Sequence, residues 1–334
     1  MNHSEFNILL QKSFRDQAVA PRNVRLPTDA GIRIGGDIAC ATLFLSAAAV
    51  QANMQNDAAA FESWAVVLKV WCGVRRITVD WQEPADTGNG HYQRFLYRLG
   101  HFEELFGREL LGVVGRERLA QCRVGNGAAA TLNLAGNRDT AAMPSVPGSE
   151  ADLEKRLAGA NLAERARLMA ALGLVQLDRQ MPVGVFDGPP TRVGAIFTGG
   201  KSAIDLVGVD GTGALWLLEL KTPRNIKVGA LSELFFYSMV LNDARLGRIV
   251  FHDKSAGPRS TITSASITAA PRIHARVLAE ASHPLLSPAV FDTLNKAAAA
   301  RGWAVDYGFH DLACYLDKIT KAHAPERVRA GLAK

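Results

Sequence analysis

The chain of 334 residues predicts an α/β protein. A mixed sheet flanked by helices is expected over residues 149–325, behind a mainly helical α+β half at residues 1–143. Three observations carry this expectation. Two apolar runs flank Asp210-Gly211-Thr212-Gly213, a strong hairpin signal. Helix-period segments lie on both sides of that hairpin. Between the halves, Thr140 to Gly148 holds Pro144 and Pro147 and reads as a linker.

In the N-terminal half, a helix is expected from Ile38 to about Asn53 and a second from Ala58 to Trp71. Val74 to Trp81 alternates, with Ile77, Val79 and Trp81 on one face and Arg76, Thr78 and Asp80 on the other, as a half-buried strand does. His91 to Leu111 reads as one or two helices. Its Arg94, Phe95, Tyr97 and Arg98 are candidates for stacking on bases and pairing with phosphates. The more ordinary reading places the aromatics in a core.

In the C-terminal half, Ser149-Glu150-Ala151-Asp152 has capping-box form. Leu153 and Leu157, with Leu162 as a further candidate, make the apolar stripe of a helix. A strand follows over Leu174 to Val185, and the loop Thr191 to Lys201 leads into the hairpin. Thr222-Pro223 ends the second hairpin strand, and Val228 to Asn242 reads as a helix. Further strands are expected at Gly247 to His252, Ile273 to Glu280 and Trp303 to Phe309. Helices are expected at Pro288 to Arg301 and Leu312 to Lys321. His283, Tyr307 and His310 read as packing or capping residues.

The hairpin holds the chemistry. A three-residue loop at Gly211 to Gly213 closes it at Asp210 and Ala214. In that register Asp205 stands opposite Glu219, and the period of two puts Lys221 on the same face, with Leu218 and Leu220 pointing into a core. Two carboxylates and an ammonium thus project together from apolar strands. Charges on buried strands are unfavourable unless paired or metal-bound. A divalent cation relieves the carboxylate repulsion, and hard oxygen ligands suit Mg²⁺ or Mn²⁺ rather than zinc. The alternative is a Glu–Lys pair on a solvated face. Ile204-Asp205-Leu206-Val207 and Leu217-Leu218-Glu219-Leu220-Lys221 argue against it, because their charges interrupt apolar runs instead of alternating with polar residues.

This stretch resembles the PD-(D/E)XK nuclease superfamily, in which a strand aspartate precedes Glu-X-Lys on the next strand. Asp205 matches the aspartate, Glu219 the acidic residue and Lys221 the lysine, while Ile204 stands where the name has proline. The resemblance implies a restriction-endonuclease-like core in the order helix, three strands, helix, strand, over about residues 149–320. It implies Mg²⁺- or Mn²⁺-dependent hydrolysis of phosphodiester bonds, with DNA as substrate in restriction, repair or anti-phage defence. RNA is left open. A non-catalytic nucleic-acid-binding or assembly subunit is the alternative. The resemblance also implies an acidic metal ligand on the first helix, for which Glu150 and Glu154 both qualify. A polar residue on the helix after the motif is expected too, with Glu233 and Tyr237 as candidates one turn apart. Lys201 is a further supporting candidate.

Charge agrees with a polyanionic partner. The chain carries 38 Lys and Arg against 32 Asp and Glu, a net +6, with an isoelectric point near 9.2. Residues 1–148 hold 15 bases and 14 acids and residues 149–334 hold 23 and 18, so the excess lies on the motif half. Cys40, Cys72, Cys122 and Cys314 form no zinc or disulfide framework. There is no Walker A motif, and Gly31 to Gly36 lacks the Lys-Ser/Thr a phosphate loop needs. Met1 to Glu5 lacks signal-peptide character, and the longest apolar run, Ile38 to Val50, is too short to span a bilayer. A cytoplasmic protein is therefore the expectation. The N-terminal half, with balanced charge and no ligand spacing, is expected to serve targeting or oligomerisation.

Overall fold

The computed structural model describes residues 1–17, 24–125, 130–133, 146–159, 163–198, 202–222, 227–252 and 261–316. The first half runs α1 (His3–Gln17), β1 (Ile32–Gly36), β2 (Cys40–Leu45), α2 (Ala47–Val50), α3 (Phe61–Cys72), β3 (Arg76–Trp81), α4 (Gly90–Phe106), β4 (Leu111–Val113) and β5 (Ala130–Leu132). The second runs α5 (Glu150–Ala158), α6 (Ala163–Leu172), β6 (Leu174–Pro182), β7 (Val185–Asp187), β8 (Ala203–Asp210) and β9 (Leu215–Lys221). After these come α7 (Ala230–Arg245), β10 (Val250–Phe251), α8 (Ser264–Thr268), β11 (Ile273–Ala279), α9 (Pro288–Ala300) and β12 (Val305–Asp311). The fold is mixed α/β, with mixed sheets and flanking helices.

The largest sheet has the order β12-β11-β9-β8-β6. Strands β6, β8 and β9 form an antiparallel meander, while β11 and β12 add in parallel. Its two faces bury different partners. Leu206, Leu218 and Leu220 pack with Leu153, Leu157, Leu168 and Leu172 of α5 and α6. Val207, Val209, Leu215 and Leu217 face the larger core that includes α7. That core runs across the expected boundary between halves, joining residues from Phe6 to Tyr307. Phe102 of α4 meets Phe235 of α7 at 5.5 Å between ring centres, and Ser63 Oγ of α3 lies 2.8 Å from Ser232 Oγ. Covered by the sheet on one side and by α3 and α4 on the other, α7 is buried along its whole length from Ala230 to Ala244. Such a helix is core on every face, so its polar residues need internal partners.

Local chemistry explains the elements flanking the site. Ser149 Oγ accepts the Asp152 N–H at 3.2 Å and starts α5, while Asp152 Oδ2 reaches back to the Gly148 N–H. At the hairpin, Asp210 Oδ1 accepts bonds from Thr212 N, Thr212 Oγ1 and Ala214 N. Gly213 takes φ +84, which glycine adopts without steric penalty. The Asp210 N–H donates to Ala214 O at 3.0 Å, closing the expected three-residue loop.

Four expectations need correction. Residues 38–53 are not one helix: Cys40–Leu45 is a strand with Ala41, Leu43 and Leu45 buried. It pairs with β1 and β3, so period-two burial and ladder bonds outweigh helix propensity, and only the Ser46-capped Ala47–Val50 is helical. Leu174 to Val185 is not one strand. Beyond Pro182 the chain leaves the large sheet, and β7 joins β5 and β10. The strand at 247–252 shrinks to Val250–Phe251 in that small sheet, because the Arg248 and Ile249 N–H groups are spent on Asp243 O at the end of α7. The place it was expected to fill is taken by β11. Finally, Leu312 begins a 3-10 turn, Leu312–Cys314, before the described residues end at 316. Leu162, most of the linker and the second half of the last expected helix lie outside the described residues.

The other expected helices and strands within the described residues agree with the structure, apart from shifts at their ends. Helices α1, α6 and α8 and strands β1, β4 and β5 had no counterpart in the sequence reading. No helix among the described residues is long and apolar enough to cross a membrane.

Candidate active site

The hairpin register decides the site. The ladder pairs Leu206 with Leu218, Val207 with Leu217, Gly208 with Trp216 and Val209 with Leu215. One step further, Asp205 stands level with Glu219. Asp205 Oδ2 accepts the Leu220 N–H at 2.8 Å, so the carboxylate is tied to the neighbouring strand. Lys221 Nζ donates to Glu219 Oε1 at 2.7 Å. On its other side it meets Glu233 Oε2 of α7 at 3.1 Å. Glu219, Lys221 and Glu233 are 2 %, 3 % and 1 % exposed. Tyr237 OH, one turn along α7, donates to Glu233 Oε1 at 3.3 Å.

Negative charge is in excess here. Burial, then Asp205 and Glu233, push the Glu219 carboxyl well above its usual range, which Lys221 only partly offsets. Asp205 keeps part of its surface open, yet its carboxylate lies deep enough that burial is the main cause raising it. Glu154 and Glu233 add to this, while Lys221 and the Leu220 N–H oppose it. Burial also works against the charge on Lys221, but Glu219, Glu233 and Asp205 outweigh it and hold the ammonium protonated above its ordinary range.

The first-helix candidates separate. Glu154 is buried, bonded to Gln180, and close enough to act on Asp205. Glu150 is half-buried and acts on Glu154. Lys201 lies outside the described residues. Arg94, Phe95, Tyr97 and Arg98 are all buried, which corrects their candidacy as a nucleic-acid surface. Arg98 is bonded to Glu62 through both guanidinium and carboxylate forks. The ordinary reading holds for Tyr307, whose hydroxyl lies 2.9 Å from Ser238 Oγ, and for His283, whose Nδ1 accepts the Leu285 N–H.

Two neighbours, Gln55 and Gln180, had no signal in the sequence, and a third, Arg94, was singled out only as a nucleic-acid contact. Gln55 Nε2 donates to Glu233 Oε1. Arg94 donates to Ser202 Oγ at 3.0 Å and sits 2.6 Å from His91 Nδ1. Burial and then Arg94 lower the His91 pKa to about 4, so that imidazole is neutral near pH 7. Gln180 falls opposite Asp205 in the β6–β8 register and has φ 52, a backbone strain of the kind that concentrates at functional sites. All three depend on long-range packing.

Could these residues hold a cation? Among the described residues no three His, Cys, Asp or Glu side chains form a ready-made metal cluster. Mg²⁺ does not require one, since it is commonly held by one or two carboxylates, with water and substrate oxygens completing the shell. Among the described residues, Glu219 Oε2 is buried without a hydrogen-bond partner. An orphan carboxylate oxygen beside a second carboxylate fits a hard cation. Compared with known proteins, the chain matches no family model, no curated protein and no solved structure.

A stability measurement tests the fit. Both raised carboxyls bind protons more tightly in the folded than in the unfolded chain, whose values lie near 4. In EDTA, stability should therefore fall as pH rises from about 4 through the raised folded values. Mn²⁺ or Mg²⁺ replaces those protons and should restore the melting temperature near pH 8 while adding little near pH 5. At a metal concentration about 100 times Kd the gain is about 2.7 kcal/mol. Identical melting curves with metal and with EDTA at both pH values would count against a cation site.

Proposed function

We propose that the protein is a divalent-cation-dependent nuclease of PD-(D/E)XK type, with DNA as substrate. The observation that carries this reading is Asp205 level with Glu219, beside a lysine and an unsatisfied carboxylate oxygen. The order of elements supports it: α5, then the antiparallel strands β6, β8 and β9, then α7, then β11. The net charge of +6 suits a polyanion. The choice of DNA rests on analogy with the resembled superfamily.

Asp205 and Glu219 are the metal-holding pair, with Glu154 near enough to tune them. When bound, Mg²⁺ or Mn²⁺ supplies charge neutralisation and Lewis acidity at a phosphodiester. Lys221 stays protonated because three carboxylates surround it. Its role is therefore that of a cationic donor that steadies charge developing on phosphoryl oxygens, rather than that of a base. Glu233 and Tyr237 set the direction from which that donor acts.

The test is incubation of the full-length protein with plasmid, linear duplex, single-stranded DNA and RNA, each with Mg²⁺, Mn²⁺ or EDTA. Cutting of DNA that EDTA abolishes is the expected result. Preferential cutting of RNA would move the substrate. Tight binding without cutting in any metal would leave a nucleic-acid-binding subunit in place of an enzyme.

A further inference from the structure

We infer that Gln55, from the N-terminal half, is a positioning residue of this site: its amide holds the Glu233 carboxylate in the orientation that fixes Lys221. The consequence for catalysis rests on the nuclease reading; the geometry does not.

Glu233 is buried on the first turns of α7 and must satisfy two oxygens inside the protein. Oε1 accepts bonds from Gln55 Nε2 and Tyr237 OH, whereas Oε2 makes an ion pair with Lys221 Nζ at 3.1 Å and, among the described residues, accepts no aligned hydrogen bond. The two donors on Oε1 therefore determine how Oε2 is presented to the lysine. Tyr237 comes from the same helix, one turn away. Gln55 comes from a turn that is distant in sequence, and the fold clamps that turn onto α7.

The clamp is visible in the backbone. A Cβ on Gly229, at the start of α7, would stand 2.7 Å from Gln55 O, so glycine is needed for this approach. Three residues on from Gly229, the Ser232 N–H donates to Ser63 Oγ at 3.1 Å, which fixes α3 to the same helical turn. Within the Gln55 turn, Asn53 Oδ1 accepts the Gln55 N–H and Asn56 Oδ1 accepts the Ala58 N–H. A side chain anchored through its backbone N–H and bonded through its amide suits an orienting donor. Its loss leaves Oε1 with Tyr237 as its donor, removes the restraint on the carboxylate's rotation, and frees Lys221 to turn wholly towards Glu219.

The test compares Gln55→Ala and Gln55→Glu in the full-length chain. Gln55→Ala removes the donor, whereas Gln55→Glu keeps the volume but sets a carboxylate against Glu233. The expected order of kcat for DNA cleavage is wild type, then Ala about tenfold lower, then Glu lower still, with KM within about twofold throughout. In parallel, the amide change should shift the ¹⁵N–¹H signal of the Lys221 ammonium in both variants, in EDTA and without substrate. If Glu matches wild type and Ala alone is impaired, Gln55 only fills space and the inference fails. An unchanged Lys221 signal overturns it as well. If wild type cuts no nucleic acid, the nuclease reading falls, and the Lys221 signal still decides whether Gln55 positions the lysine.

Discussion

Lys221→Met is expected to lose metal-dependent cleavage by about 10²- to 10³-fold and to lose about 3–5 kcal/mol of stability near pH 7 in EDTA. Lys221 contacts both Glu219 and Glu233, at 2.7 and 3.1 Å. Removing it takes away the cation in direct contact with these buried carboxylates and leaves Arg94 to act on Glu233 from further off, a damaging way to break a buried pair. The pH dependence follows from the sign of the shift. In the folded chain the ammonium is held above its usual pKa, so its contribution is complete below about pH 10.4 and is lost only as pH rises beyond that. The variant's deficit should therefore span the neutral range. It should shrink towards about pH 5, where protons neutralise the carboxylates, and it should shrink when Mg²⁺ is added. A variant with wild-type stability at pH 7 would mean that the carboxylates are not in the predicted state.

Glu219→Gln should affect stability in the opposite direction while being equally damaging to cleavage, with an expected loss of about 10³-fold. The glutamine carbonyl can still accept the Lys221 bond, and the charge repelled by Asp205 and Glu233 is gone. The metal-free protein near pH 8 should gain about 1 kcal/mol, a rise of about 2 °C for a chain of this size. Added Mg²⁺ should no longer stabilise it. Stabilisation together with lost activity is the signature of a carboxylate kept for function at a cost to stability. A destabilised Glu219→Gln protein would show that the ion pair outweighs the repulsion. Metal-dependent cutting at wild-type rate would place the chemistry elsewhere.

The hairpin was legible because everything that sets its register is local. Asp210 and Gly213 determine the loop, the loop determines which residues face each other, and the alternation then carries Asp205, Glu219 and Lys221 to one face. Ser149 as a helix cap and the Val74 to Trp81 alternation were readable for the same reason. Glu233 and Tyr237 could be placed on one helical face by spacing alone, but their burial could not, since it depends on α3 and α4 packing over α7. The strand Cys40–Leu45 was misread because its apolar character suits a helix until partners on both sides supply ladder bonds.

By itself, then, the sequence determined the hairpin, its turn and the side of the strands on which two carboxylates and a lysine emerge, because short-range sterics and side-chain period leave little choice there. Tertiary packing buried Glu154 and set it close enough to act on Asp205. Likewise, tertiary packing turned Arg94 and Arg98 inward, and it brought Gln55 across 178 residues of chain to Glu233. These contacts join residues far apart in sequence, and no local propensity encodes them. They exist because one hydrophobic core closes over both halves of the chain and brings the first half against α7.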